Sequence, residues 1–229
     1  MLTPAAIFMA VSADAMFTAV AAWGMVCLAL SATRERTGPM IGWSIGAGLL
    51  LGYCVMLSYG LPLLGILAVA ILLAARTWRP LPGAVLAALA VVLVFAAYGF
   101  RWWEAYPVLR ERYYDGVASI RPFWYWGWAN LAALALSAGP ALGMGVARLV
   151  QVARRVDRTL LLVIGGGLAM IVVADLSGMS KAEVERIWLP FIPWATLSIA
   201  LLTRRGRQWA LGIQLASALL IQHLLYTSW

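Results

Sequence analysis

The side chains that could do chemistry are scarce in this chain and gather in residues 175–194, DLSGMSKAEVERIWLPFIPW. There Asp175, Lys181, Glu183, Glu185 and Arg186 stand between two apolar runs that carry no charge of their own. A guanidinium fork matches the shape of a phosphate group, so Arg186, at the lip of an apolar run, is a candidate for a lipid phosphate. The structural alternative for it is a salt bridge to Glu183, or snorkelling to the headgroup layer. Asp175 closes an apolar helix, the end at which the macrodipole disfavours a carboxylate, so a partner or a role is expected for it. Lys181 and Arg186 are the nearest partners in sequence. Ser180 and Glu183 have the spacing of a capping box, which assigns Glu183 to starting the next helix.

Outside that stretch the candidates thin out. Asp14 opens an apolar run, where a carboxylate serves either as a helix cap or, as an ionisable group at membrane depth, as a functional residue. Arg121 precedes Pro122 and the run Phe123-Trp124-Tyr125-Trp126 and carries the same two readings as Arg186. Trp124 and Tyr125 suit either a membrane aromatic belt or a sugar-binding platform. His223, alone in the last apolar run, reads as an interhelical hydrogen-bonding residue, and Gly165-Gly166-Gly167 as a close-packing site without the Lys-Ser/Thr of a phosphate loop. Cys27 and Cys54 lie in apolar runs without metal-ligand spacing and read as small buried hydrophobes. No cofactor motif is present, and a divalent metal remains compatible with the sequence.

These residues are carried by a chain of 229 residues that is 64% hydrophobic and 11% charged, with a mean hydropathy of +0.89. Such a chain has too few polar residues to cover a soluble domain and reads as a polytopic all-α bundle in a membrane. A formal charge of +8 raises the question of nucleic acid, but no basic stripe or aromatic RNA-binding motif accompanies it. No Lys or Arg precedes the first apolar run, so the pattern of a secretory leader is absent.

About eight crossings are expected, over residues 15–32, 41–59, 61–75, 83–100, 129–146, 159–174, 187–203 and 209–226. The turn Tyr59-Gly60-Leu61-Pro62 makes a tight hairpin of the second and third. Residues 101–128 interleave charges with rings and read as an interfacial amphipathic helix broken by Pro107 and Pro122. With this alternation, one set of loops holds eleven Arg against Glu35 and Asp157, while the other holds six cations against seven carboxylates. The positive-inside rule then puts the arginine loops in the cytoplasm. It places both termini, Asp14, residues 101–128 and the charged loop 175–187 outside a plasma membrane, in a single transmembrane domain.

Residues 177–194, SGMSKAEVERIWLPFIPW, resemble a segment near the end of actinobacterial integral membrane proteins of the GT-C glycosyltransferase kind. Pro4 followed by Ser12-Ala13-Asp14-Ala15-Met16-Phe17 resembles the opening of a mid-chain helix in those polyprenyl-phosphate-sugar transferases. Gly48-Leu49-Leu50-Leu51-Gly52, with Leu57-Ser58-Tyr59-Gly60, is similar to their glycine hairpin, and Arg121-Pro122-Phe123-Trp124-Tyr125-Trp126 to their Arg-Pro-x-x-Tyr-Trp run. The resemblance implies a polyprenyl-phosphate sugar donor bound at the outer face and an acidic residue that acts in transfer to an acceptor hydroxyl. Arg121, Lys181 and Arg186 would contact the lipid phosphate beside Trp124 and Tyr125, while Asp14, Asp175 and Glu185 organise the site. The match begins at the family's middle. Residues 1–11, too short to span, are therefore expected to be the end of an upstream helix, and the family's catalytic loop lies outside this chain. The alternative is a non-catalytic lipid-handling, transporter or assembly subunit. An ion-coupled transporter fits least, because the only Asp, Glu, Lys or Arg at any of the expected crossings is Asp14, at an edge.

Overall fold

The computed structural model describes residues 3–9, 12–116 and 118–225. In order, the helices are α1 (Ala5–Met9), α2 (Asp14–Thr33), α3 (Thr37–Leu57), α4 (Leu64–Ala75), α5 (Leu81–Ala97) and α6 (Trp102–Asp115). They continue with α7 (Phe123–Ala138), α8 (Ala141–Val152), α9 (Arg158–Leu176), α10 (Val184–Ile187), α11 (Ile192–Thr196) and α12 (Arg204–Leu224). Short 3₁₀ turns precede α4 (Leu61–Leu63), follow α8 (Ala153–Arg155) and follow α11 (Leu197–Leu201). Among the described residues there is no strand, so the chain is all-α.

Local chemistry sets the boundaries. Asp157 caps α9, its Oδ1 accepting from Thr159 N at 2.9 Å and Leu160 N at 3.2 Å, and the Thr203 hydroxyl caps α12 through Gly206 N at 3.2 Å. Pro62, Pro82 and Pro193 stand in the first two positions of their elements, where a missing N–H costs nothing. Pro107 is the exception: α6 runs through it rather than breaking there. The chain breaks between Asp115 and Phe123, a stretch that includes the expected break at Pro122, and Trp124 and Tyr125 sit on the first turn of α7.

Among the described residues three helices, α2, α3 and α9, are long and apolar enough to cross a membrane, and up to five spans result if two bent pairs each count as one. In those pairs α5 meets α6 at 75° and α7 meets α8 at 101°. The second bend falls inside the crossing expected over 129–146, since the dipeptide Gly139-Pro140 ends α7 and turns the chain. Residues 61–75 form a 3₁₀ turn and a short helix, and most of 187–203 is turns, α11 and a 3₁₀ turn. Residues 1, 2, 10 and 11 of the expected upstream remnant, Tyr226 of the last expected crossing, and both chain ends lie outside the described residues.

The chain divides into two compact units, residues 16–122 and residues 1–15 with 123–229. In the first, α3 packs chiefly along α5, not against α4 as the expected hairpin implied. The seam is made by small residues, because lipid is as apolar as a leucine side chain and close backbone contact supplies the attraction instead. A Cβ on Gly48 would stand 2.2 Å from Ala84 O, and one on Gly52 2.7 Å from Ala88 Cα. Ser44 Oγ donates to Pro80 O at 2.5 Å, and Ser31 Oγ to Met40 O at 2.7 Å, tying the ends of the helices.

In the second unit, α9 packs on α11, α8 on the Leu197–Leu201 turn, α7 on α10, and α1 on α10 and α12. Trp188, Leu189, Phe191 and Ile192 are its buried centre, and Phe8 of α1 is buried with them. Gly167 lies where a Cβ would meet Ala195 N at 2.7 Å, so the close-packing reading holds there, whereas Gly165 faces open space. Gln214 of α12 closes the elbow between α7 and α8 by donating from Nε2 to Ala138 O at 2.7 Å. Gly139, with φ of +80°, leaves room for that carboxamide. His223 is exposed and makes no hydrogen bond among the described residues, which corrects its reading as an interhelical partner: it projects from the open side of α12.

Gly48→Ala is expected to force α3 and α5 apart and lower stability by about 1–3 kcal/mol, the usual penalty of overpacking. Gly42→Ala, on the same helix with nothing within 4 Å, should be neutral or slightly stabilising. Thermal unfolding of the detergent-solubilised protein measures both, and equal midpoints for the two variants would contradict the seam.

Candidate functional site

Two residues 172 apart in sequence meet in the second unit: Arg186 Nη1 donates to Asp14 Oδ2 at 3.4 Å. Asp14 is the first residue of α2, where a carboxylate faces free backbone N–H groups, and it is only 8% exposed. Arg186 also pairs through Nη2 with Glu183, one helical turn earlier. The guanidinium thus sits between two carboxylates. Burial pulls its pKa down, but the Glu183 and Asp14 charges outweigh that and hold it above the ordinary arginine value. A raised cation pKa means its contribution is complete at any pH below the ordinary arginine range, so from the arginine's side the cluster is insensitive to pH in the physiological range.

A second group of bonds fixes the loop that carries Glu183. Asn130, on α7 and buried, donates from Nδ2 to Asp175 Oδ1 at 2.9 Å and to Ser180 O at 2.5 Å. Its Oδ1 accepts from Ala182 N at 3.2 Å. One carboxamide therefore ties α7 to the end of α9 and to the loop after it. Ala182 and Glu183 both take left-handed backbone conformations, with φ of 85° and 59°. Non-glycine residues resist this region, and the surrounding bonds hold them in it.

This backbone corrects the capping-box reading. Glu183 stands at the N-cap position of α10, not at the third helical position that a box headed by Ser180 requires; its side chain makes no cap bond, and Ser180 is engaged through its carbonyl. The Glu183 carboxylate instead finds a guanidinium at i+3, a stronger partner than a neutral N–H. Asp175 likewise takes an amide 45 residues upstream, not a neighbouring cation, as its hydrogen-bond partner.

The structure thus brings together Asp14, Glu183 and Arg186, and separately Asp175 with Asn130, all within one compact unit. Glu185 and Lys181 are half-buried on the same segment. Trp124 and Tyr125 are exposed, at 75% and 54%, on α7. Arg121 belongs to the other unit, where its backbone N–H closes a turn on Ala118 O. Asn130 is the residue that the sequence reading missed, and its one signal was a lone amide inside an apolar run. Among the described residues no three His, Cys, Asp or Glu side chains group closely enough to hold a metal ion. The Arg186 cluster sets two carboxylates on one guanidinium, and carboxylate oxygens can accept a hydrogen bond or a proton from a hydroxyl-bearing ligand.

Asn130→Leu removes three hydrogen bonds and strands the Asp175 carboxylate, and is expected to cost about 2–4 kcal/mol. Adding Asp175→Leu should recover part of that loss, because removing both members of a buried pair costs less than removing one. Unfolding midpoints of the two single variants and the double variant measure the coupling; strictly additive losses would deny the bond.

No protein-family model matches this chain, and neither does a curated protein or a solved structure.

Proposed function

We propose that this chain is a membrane module that holds a polyprenyl-phosphate-linked sugar donor at the outer face, as the C-terminal part of a GT-C-like glycosyltransferase. The observation that carries the reading is the pairing of Asp14, at the head of a spanning-length apolar helix, with Arg186 on α10, which follows the left-handed residues Ala182 and Glu183. Ionisable groups collected at the end of an apolar helix are costly there, and function is the usual reason they are kept. In this reading Arg186 and Lys181 meet the lipid phosphate, Trp124 and Tyr125 offer ring faces to the sugar, and Asp14, Asp175 and Glu185 organise the acceptor side.

A second reading, a non-catalytic lipid-handling or assembly subunit, has its own support. Arg186 already has two carboxylate partners and Asp175 is committed to Asn130, an arrangement that suits binding or bracing as well as proton transfer. Saturable binding of a labelled polyprenyl-phosphate sugar to the purified chain in nanodiscs separates these. Binding weakened at least about tenfold by Arg186→Gln is expected, from the loss of a charge-assisted bond. Transfer to an added alcohol acceptor that disappears in Asp14→Asn marks the enzyme, and binding without transfer marks the subunit. No saturable binding at all would overturn both readings.

The topology that accompanies this proposal has eight crossings: α2, α3, α4 with its 3₁₀ turn, α5, α7, α9, residues 187–203, and α12. Helix α6 lies along the outer interface and both termini are outside. The crossing at 187–203 is the demanding one, since α11 and its 3₁₀ turn rise only about 17 Å, against a hydrocarbon core of about 30 Å. It is required by charge: without it Arg204, Arg205 and Arg207 would face outward. In a background with Cys27 and Cys54 replaced by Ala, an impermeant maleimide should label Ile120→Cys on intact cells. It should reach Gln208→Cys only after permeabilisation, and labelling of that residue from outside would remove the crossing.

A further inference from the structure

Arg101, Glu104, Val108, Leu109 and Arg112 recur on one face of α6 at helical spacing, and with Gly99 and Phe100 they line an open groove of about 440 Å³. The groove lies at the 75° elbow where the apolar helix α5 ends. Its middle is apolar, with Val108 49%, Leu109 37% and Phe100 40% exposed. Gly99 keeps one wall open: its φ is +95°, and a side chain there would meet nothing within 4 Å. Of the two guanidinium groups, Arg101 is committed to Glu104 at 3.0 Å. Arg112 makes no side-chain hydrogen bond or ion pair among the described residues. Packing uses other faces of the helix, where Trp102 and Tyr106 stack near Tyr59 at 5.6 Å and 5.8 Å, and Arg110 lies 5.8 Å from the centre of the Tyr114 ring.

The geometry points to a binding site for the phosphate headgroup of an anionic membrane lipid, with Arg112 holding the phosphate and Val108, Leu109 and Phe100 carrying the first carbons of the acyl chains. Charge and position favour that occupant together. An uncommitted guanidinium selects an anion, and exposed apolar side chains beside it, at the end of an apolar helix, select an amphiphile over a free ion. The site rests on the membrane placement of α5 and not on the donor reading at Arg186.

Phosphatidylglycerol binding to the full chain in neutral detergent, followed by native mass spectrometry, tests it. Phosphatidylglycerol should bind more tightly than phosphatidylcholine, and Arg112→Gln should weaken it about fivefold, the usual effect of one arginine at a lipid surface. Arg110→Gln, on the opposite side of α6, should leave it unchanged, and Arg112→Gln should leave polyprenyl-phosphate-sugar binding unchanged, so failure here and failure of the donor site are separable. Arg112 is exposed, so its variant should keep the wild-type unfolding midpoint. Equal affinity for phosphatidylcholine, an unaltered constant in Arg112→Gln, or displacement by an equal concentration of inorganic phosphate would each overturn the assignment.

Discussion

One buried carboxamide organises the polar part of this protein. Asn130 spends both donors and its acceptor at once, on Asp175, Ser180 and Ala182, so the loop after α9 has one place to lie. That position sets the backbone of Ala182 and Glu183 in the left-handed region, and the twist aims the Glu183 carboxylate at Arg186. Arg186 in turn reaches Asp14. In a low-dielectric setting each bond is stronger than in water, and each unmade bond is costlier. The same amide therefore stabilises the loop and positions the charged residues with it.

The rest of the fold answers a different constraint. Among apolar helices in lipid there is little to gain from burying one leucine against another, so association relies on close approach. Gly48 and Gly52 permit that approach along α3 and α5, and Gly167 does so between α9 and α11. Prolines and short polar caps mark where several of the helices begin. Small residues thus hold the helices together while a few polar residues fix the loops, which leaves the charged side chains free of any general packing duty.

What the sequence made legible follows from which signals are local. Apolar runs marked most helices, and proline positions marked several starts, because both depend on neighbouring residues. Gly139-Pro140 was a local signal as well, and its meaning was outweighed by the apolar run that contains it. The capping box failed for a subtler reason: the spacing of Ser180 and Glu183 is local, but the backbone angle at Glu183 is set by Asn130 and Arg186. Asp14 and Arg186 stood out as charges at the borders of apolar runs, yet their contact spans 172 residues and no periodicity encodes it. Asn130 was harder still, since its partners lie 45 to 52 residues away and one amide in an apolar run has no pattern.

The two carboxylates on Arg186 bear on how a phosphate could be received. At 3.4 Å the Asp14 contact is long for a charge-assisted bond, whereas the Glu183 contact is close and local, one turn away on the same short segment. A phosphate arriving at the guanidinium in the proposed donor complex would therefore replace Asp14 more readily than Glu183. Replacement leaves the Asp14 carboxylate without its cation but still at the head of α2, where backbone N–H groups favour its charge. In that proposal the pairing of Asp14 with Arg186 would be the resting arrangement, which an incoming lipid phosphate would open. Donor binding and the release of a carboxylate toward an acceptor hydroxyl would then be a single event, and Glu183 would keep the guanidinium in place throughout.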